Sequence, residues 1–287
     1  VLATPDGQGG LAIKGDPDHP ANRGRLCVKG AALGETVGTQ GRLLTPRIDG
    51  AQATWDSALD LVADSFADAV AQHGPDSVAM YVSGQLLTED YYVVNKFVKG
   101  YLGTANIDTN SRLCMSSAVA AHKRAFGEDL VPASYEDFEY TDMVVLVGSN
   151  TVWCHPVLYQ RIMKAREQRD LFVVVIDPRF TSTCEAADLH LPILPGQDVA
   201  LFNGLLQYLY QHGDVDQEFV AAHTQGLEQA FASSTAEASI KDVAARTGIS
   251  TAKLSQFFEK FAQTDKVMTL FSMGVNQSSR GVDKANS

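Results

Sequence analysis

The sequence predicts an α/β fold with doubly wound, mostly parallel sheets, preceded by a small loop-rich segment. Met143–Val147 and Leu171–Ile176 are continuous apolar runs, which is typical of parallel strands buried on both faces. Both runs end in short turns that contain Gly, Asp or Asn, and a helix-like stretch at 156–169 follows the first. Strands that alternate with helices in this way build a parallel sheet covered on both faces.

The first 30 residues predict a segment with little core of its own. They contain six Gly and three Pro, a short strand candidate at Leu11–Lys14 and turn-forming residues at Asp16–Pro20. Segments of this kind usually depend on a disulfide, a metal or a neighbouring domain. Basic residues surround Cys27 and favour its thiolate, although a solvated basic turn explains the same residues.

A helix, a strand and a second helix are predicted before residue 100. Trp55–His73 repeats apolar residues at helical spacing and is followed by Gly74 and a proline. Val78–Val82 is predicted as a buried strand, Ser83–Gln85 as a tight turn and Glu89–Gly100 as the next helix.

Cys114 is predicted to lie at a junction between a loop and a helix. Residues 104–113 are rich in turn-forming Asn, Asp and Thr, whereas 116–126 are rich in helix formers. The N-terminal end of a helix favours a thiolate, which can ligate a soft metal or act as a nucleophile. The alternative is a small, buried apolar cysteine.

The rest of the chain predicts further strands and helices. Tyr135–Asp142 is interpreted as an acidic loop, and Asp198 as the N-cap of an apolar helix at Val199–Tyr210. The remaining predicted elements are strands at 189–194 and 266–271 and helices at 216–222, 227–233, 240–247 and 251–264.

The ends of five predicted strands, including 78–82, are expected along one edge of a Rossmann-like sheet. Four turns would then face one crevice: Ser83–Gln85, Gly148–Asn150, Asp177–Arg179 and Gly196–Asp198. No Walker A or G-x-G-x-x-G sequence occurs, so we expect a phosphate-bearing or nucleotide-like ligand held in another way. Asp177 is either a turn former before proline or an acidic ligand.

Composition excludes some classes of function. The chain has 287 residues, a net charge of −11 and four cysteines. The negative charge argues against nucleic acid as a partner, and no apolar run approaches the roughly 20 residues that span a bilayer. Widely spaced cysteines without a C-x-x-C pair favour a reducing compartment. Because the sequence begins at Val1 and stops within a polar run, we expect it to be a piece of a longer protein.

Six stretches together resemble the bacterial molybdopterin oxidoreductases, most closely the catalytic subunit of the assimilatory nitrate reductases. Gly15–Gly30 resembles the end of the iron–sulfur segment of that family, and Asn106–Ala118 resembles its molybdenum-ligand stretch. The other matching stretches are Val147–Asn150 with His155-Pro156, Ile176–Thr181, Pro195–Asp198 and Met273–Gln277. Periplasmic nitrate reductases and formate dehydrogenases are near relatives.

The resemblance implies a role for each matching residue. Cys114 would be the thiolate ligand of molybdenum, with Arg112 and Met115 beside the open position of the metal. Cys27 would be the fourth cysteine of a [4Fe–4S] cluster, and Lys29 would lie between cluster and pterin. Two molybdopterin guanine dinucleotides would be held by Gln85, Asn110, Gly148, Ser149, Asn150, Asp177, Pro178, Arg179, Gln197, Asp198, Met273, Gly274 and Gln277.

The implied function is the reduction of nitrate to nitrite by oxygen-atom transfer at molybdenum, with electrons arriving through the cluster. The implied partners are nitrate and an electron donor, either a ferredoxin, a flavodoxin or an NADH-dependent reductase subunit, in the cytoplasm. We expect four segments: the end of the iron–sulfur segment (1–47), part of a first α/β domain (48–113), a second α/β domain (114–270) and a return to the first (271–287).

Two alternatives remain open at this point. Formate dehydrogenases typically carry a His directly after the ligand residue, where this chain has Met115. A non-catalytic paralogue without molybdenum would usually lack the ligand cysteine, which is present here. The three other cluster cysteines and a C-terminal β-barrel domain of the family are absent from the sequence, so we expect the chain alone to be inactive and to bind no intact cluster. Cys154 and Cys184 are expected to be structural or incidental.

Overall fold

The computed structural model describes residues 1–287 as two compact units. One unit contains Val1–Gly34 and Ser117–Ser287, and the other contains Glu35–Ser116. The two units are defined by contacts between residues. They do not test the four segments expected from the sequence, which remain a prediction.

The secondary structure alternates short strands with helices. The strands are β1 (Leu2–Pro5), β2 (Leu11–Lys14), β3 (Arg47–Ile48), β4 (Ala51–Gln52), β5 (Met80–Val82), β6 (Ile107–Thr109), β7 (Met143–Val147), β8 (Phe172–Ile176), β9 (Leu189–Leu191) and β10 (Val267–Phe271). The α-helices are α1 (Val28–Ala31), α2 (Trp55–His73), α3 (Thr88–Asn95), α4 (Asn110–Phe126), α5 (Asp137–Tyr140), α6 (Thr151–Cys154), α7 (Pro156–Gln168), α8 (Asp198–His212), α9 (Gln217–His223), α10 (Leu227–Ser233), α11 (Ile240–Thr247), α12 (Thr251–Ala262), α13 (Met273–Asn276) and α14 (Gly281–Asn286). Short 3₁₀-helices lie at Ala32–Thr36, Pro75–Ser77, Ser182–Ala186 and Thr235–Glu237, and a π-helix lies at Lys96–Leu102.

A four-stranded parallel sheet in the order β10-β7-β8-β9 is the centre of the larger unit. Alternate residues of β7 and β8 point to opposite faces, and both faces are buried. Helices α8, α11 and α12 cover one face with side chains such as Phe257 and Phe258, and α7 covers the other with Leu158 and Ile162. The predicted doubly wound α/β fold is therefore confirmed.

The strand predicted at 78–82 does not join this sheet. It is shorter, Met80–Val82, and pairs in parallel with β6 as a two-stranded sheet in the other unit. The expectation that the Ser83–Gln85 turn shares an edge with the other three turns is therefore wrong. The sequence did not predict the paired strand β6, because Ile107–Thr109 is too short and too polar to form an apolar run.

Helix α2 has the predicted bounds but not the predicted burial. The Thr54 side chain accepts a hydrogen bond from the backbone N–H of Ser57 at 3.2 Å, and Gly74 ends the helix at φ +83°. Its apolar stripe is not enclosed within this chain, since Leu61 and Val62 are 49% and 50% exposed. None of the helices combines the length and apolar character that a bilayer span requires.

Several helices differ in their bounds from those expected. Helix α4 already begins at Asn110, directly after β6, so the stretch at 104–113 is less irregular than predicted. Asp198 is the first residue of α8 and Gln197 is the N-cap, whereas Asp198 was expected in that place. The acidic loop contains the short helix α5, whose Asp137 carboxylate accepts a hydrogen bond from the Ser134 N–H at 2.7 Å.

Candidate cofactor site

A cavity of about 640 Å³ lies at the carboxyl ends of the strands in the four-stranded sheet. We call it the sheet-edge cavity. Its volume is in the range of sites for small ligands and cofactors, and its position is where open parallel sheets bind them. Eight of the residues predicted to hold a dinucleotide line it: Gly148, Asn150, Asp177, Pro178, Arg179, Asp198, Met273 and Gly274.

The backbones of Gly148 and Gly274 lie in close contact beside this cavity. The Gly274 N–H donates to the Gly148 carbonyl oxygen at 3.0 Å. Gly148 has φ +54°, and a Cβ on Gly274 would lie 2.7 Å from the Gly148 Cα and carbonyl oxygen. Glycine is needed at 274 because the obstructing atoms belong to the backbone and cannot rotate away.

Asp177 follows β8 and is largely buried. Its Oδ1 accepts a hydrogen bond from the Arg179 N–H at 2.9 Å, and its carbonyl oxygen lies 2.9 Å from His190 Nε2. The residue therefore forms the expected turn. The carboxylate keeps its second oxygen as an acceptor at the wall of the cavity.

Thr183 orients the amide group of Asn150, a contact that sequence reasoning missed. The buried Thr183 hydroxyl lies 2.9 Å from Asn150 Oδ1 and accepts from the Val152 N–H at 3.3 Å. If the amide were flipped, the hydroxyl proton would have no acceptor among these groups. Asn150 therefore presents its NH₂ group as a donor. The only sequence signal was a run of hydroxyl residues after Asp177-Pro178-Arg179.

Asp198 and Lys284 place opposite charges on the wall of the cavity. Both are largely buried, and Lys284 Nζ lies 3.8 Å from Asp198 Oδ2 and 2.8 Å from Ser278 Oγ. Asp198 opens α8, where the helix dipole favours a carboxylate. Lys284 was not predicted, because an isolated Lys in a polar run has the appearance of a surface residue.

Ser149, Gln197 and Gln277 were also predicted to hold a dinucleotide, but they are not part of the lining of the sheet-edge cavity. Ser149 is buried, with its hydroxyl 2.9 Å from that of Thr151. Gln197 is half-buried at the N-cap of α8, and Gln277 is exposed after α13. Their roles in cofactor binding remain predictions.

A second group of predicted residues lies in the smaller unit, at the carboxyl ends of β5 and β6. Asn110 Oδ1 accepts a hydrogen bond from the Gly84 N–H at 2.8 Å, which joins the turn containing Gln85 to the start of α4. Cys114 is the fifth residue of α4 and is exposed. The alternative of a buried apolar cysteine is therefore wrong within this chain.

The charge of Arg112, in the first turn of α4, is paired with a carboxylate of the preceding strand β6. Its Nε lies 2.6 Å from Asp108 Oδ2. The Thr109 N–H, followed by Arg112, holds the pKa of the Asp108 carboxyl below its usual value. The Asp108 carboxylate therefore offsets part of the positive charge that Arg112 brings to the start of α4. Met115 is 43% exposed beside it.

Cys27 is half-buried and precedes α1 as its N-cap. The backbone N–H of Gly30, with smaller effects from the amide and charge of Lys29, lowers the pKa of the Cys27 thiol. Lys29 itself is exposed. A [4Fe–4S] cluster takes four thiolates, and no three His, Cys, Asp or Glu side chains of the chain gather into a metal site. This chain therefore does not fit a complete cluster, and the role of Cys27 as one of its ligands remains a prediction.

The matches to known families cover both units. Residues 42–287 match the model described as molybdopterin oxidoreductase, and residues 1–38 match the molybdopterin oxidoreductase Fe4S4 domain. The chain belongs to the molybdopterin oxidoreductase family. The sheet-edge cavity suits the phosphate-bearing or nucleotide-like ligand expected from the sequence. It offers hydrogen-bond donors, a largely buried carboxylate acceptor and the backbone of two glycines, which a ligand can approach closely.

Among family members, a nitrate reductase from Shewanella frigidimarina is 51% identical over 96% of this chain. An F420-dependent formate dehydrogenase 1 subunit alpha from Methanococcus maripaludis is 32% identical over 94% of it. The chain covers 30% and 40% of those two proteins. The solved structure of acetylene hydratase from Pelobacter acetylenicus shares the fold, with a TM-score of 0.80, 23% identity and coverage of 100% of this chain and 40% of that one.

Proposed function

We propose that the full-length protein is a nitrate reductase that binds molybdenum through two molybdopterin guanine dinucleotides and receives electrons through a [4Fe–4S] cluster. The supporting observation is that eight residues predicted for a dinucleotide line one cavity. The sequence identity of 51% to a nitrate reductase supports nitrate as the substrate. When bound, the molybdenum cofactor supplies a two-electron centre for oxygen-atom transfer.

The chain's own residues bind and orient the cofactor in this proposal. The NH₂ group of Asn150 donates to a phosphate or carbonyl oxygen, and the remaining Asp177 oxygen accepts from a guanine or ribose donor. Lys284 offsets negative charge in the cavity. Cys114 supplies the thiolate ligand, and the start of α4 provides the positive end of a helix dipole for a small anion.

The same proposal assigns the protein to the cytoplasm, which suits four cysteines without a disulfide. A ferredoxin, a flavodoxin or an NADH-dependent subunit would donate the electrons.

Substrate choice is the first test of this function. We expect the full-length protein to reduce nitrate with reduced viologen and to oxidise formate little or not at all with a dye acceptor. The reason is that Met115 stands beside Cys114, and a thioether cannot relay the proton that formate oxidation releases. Robust formate oxidation without nitrate turnover would favour the formate dehydrogenase function that the second relative represents.

Thr183 provides a test of the dinucleotide cavity. Thr183→Val should weaken binding of guanosine diphosphate, half of the proposed dinucleotide, by up to about tenfold, because the Asn150 amide loses its fixed orientation. Thr183→Ser keeps the hydroxyl and should bind as the parent chain does. Calorimetric titration of both variants checks this, and equal affinities for Val and Ser would contradict the assigned role.

A further inference from the structure

Helix α14 contacts both the wall of the sheet-edge cavity and the later part of α4. Its Lys284 is largely buried and lines the cavity, where the ammonium lies 2.8 Å from Ser278 Oγ and 3.8 Å from Asp198 Oδ2. An ammonium has three N–H donors, so Lys284 can also donate to an anionic ligand in the cavity. Helix α14 therefore carries a cation that a bound anion would engage directly.

The preceding residue, Asp283, joins α14 to α4. Arg124 Nη1 donates to Asp283 Oδ1 at 3.0 Å, and Arg280 Nε donates to Asp283 Oδ2 at 3.4 Å. The hydrogen bond from Arg124, with a smaller effect from Arg280, holds the pKa of the Asp283 carboxyl below its usual value. Asp283 is therefore an anion at neutral pH and pairs with a cation of α4.

Two further contacts bring the two helices close together. Asn286 Nδ2 donates to the Ala121 carbonyl oxygen at 3.4 Å. At the start of α14, a Cβ on Gly281 would lie 3.1 Å from Ser117 Oγ. All of these residues belong to one compact unit. We call the set of contacting residues the α14 dock: Ser117, Ala121, Arg124, Gly281, Asp283 and Asn286.

We propose that α14 couples the sheet-edge cavity to α4, so that an anionic ligand on Lys284 steadies the helix that carries Cys114. Adjacent positions of one short helix contact the cavity and α4, so a ligand that fixes Lys284 also fixes Asp283. Helix α4 is continuous from Asn110 to Phe126, and its docked part begins three residues after Cys114. A guanine dinucleotide as the ligand rests on the proposed function; the contacts of the α14 dock do not.

The experiment measures amide hydrogen exchange of the chain with and without guanosine diphosphate. In the parent chain the nucleotide should slow exchange of residues 117–126 about fivefold more than exchange of α7, which covers the opposite face of the sheet. The double variant Asp283→Asn, Asn286→Ala loses the side-chain contacts of α14 with α4. It should lose most of this protection and bind the nucleotide more weakly by the same factor, because coupling between two sites is reciprocal.

Two single variants complete the comparison. Asp283→Glu keeps the carboxylate and should retain most of the protection and of the affinity. Arg280→Asn is the matched control, because it removes only the ion pair within α14 and leaves Arg124 on Asp283. Asparagine also tolerates the φ of +59° at position 280. This variant should behave as the parent chain does in both measurements.

Two outcomes with bound nucleotide would overturn the proposal. One is exchange of residues 117–126 that the nucleotide slows no more than exchange of α7. The other is a double variant whose protection and affinity both equal those of Arg280→Asn.

A parent chain that binds no guanosine diphosphate would refute the proposed function of the cavity, and the coupling is then tested without ligand. Lys284→Met loses the contacts with Ser278 and Asp198, so exchange of residues 117–126 should become faster. Unchanged exchange would overturn the coupling. Asp283 is half-buried, so the double variant provides the same test if Lys284→Met does not fold, with exchange equal to that of Arg280→Asn as the contradicting result.

Discussion

Cys114→Ser is expected to lower nitrate reduction by the full-length protein at least about 100-fold. A serine hydroxyl is a hard and mostly protonated donor, whereas molybdenum in this family is expected to take a soft thiolate from Cys114. The side chain is exposed near the start of α4, so its replacement leaves the packed core intact. Nitrate turnover with reduced viologen, measured together with molybdenum per protein, checks the expectation.

Cys154 and Cys184 are the matched controls for this variant. Cys154 is exposed at the end of α6 and lines the sheet-edge cavity, and Cys184 is buried with its sulfur 3.8 Å from the Arg179 carbonyl oxygen. We expect serine at either position to leave the enzyme at least partly active. A loss as deep as that of Cys114→Ser at either control position would contradict the assignment of Cys114 as the one cysteine ligand of molybdenum.

Gly274→Val is expected to destabilise the chain by about 3 kcal/mol and to remove binding of guanosine diphosphate. The added Cβ would meet the Gly148 Cα and carbonyl oxygen at 2.7 Å. Relief requires the ends of β7 and β10 to separate, and this movement changes the backbone that lines the sheet-edge cavity. Urea unfolding and calorimetric titration with guanosine diphosphate measure the two effects.

Gly100→Ala serves as the control for a glycine in open space. A Cβ at Gly100 has no heavy atom within 4 Å, so we expect unchanged or slightly higher stability and unchanged nucleotide binding. If Gly274→Val matched Gly100→Ala in both measurements, the close approach of the two glycines would not limit the site.

Local pattern predicted most elements of the larger unit. Met143–Val147 was confirmed with its bounds because five apolar residues in a row are compatible with a parallel strand covered on both faces. Helix α11 was confirmed because Ser239 caps it and Gly248 ends it at positive φ, and both signals are local. The smaller unit was harder to predict, since β6 has only three residues and no repeating pattern of apolar side chains.

Part of the candidate site was predicted because its signals are also local in the sequence. Turn residues at strand ends are visible in a sequence, and seven residues of three predicted turns line one cavity. Met273 and Gly274, which also line it, were predicted only through the family resemblance. Thr183 and Lys284 were missed because nothing in the sequence around them indicates burial. Their roles come from partners 33 and 86 positions away, respectively Asn150 and Asp198.

By itself, the sequence determined the α/β class, the strand ends that carry polar turns, and the motifs of the molybdopterin oxidoreductases. These follow from hydrophobic period, glycine and proline positions and side-chain chemistry, which act over a few residues. Only the tertiary structure decided that β5 pairs with β6, that the Arg112 charge is offset by Asp108 and that α14 is joined to α4. Each depends on distances and orientations between side chains and backbone in the folded chain, which sequence motifs alone do not specify.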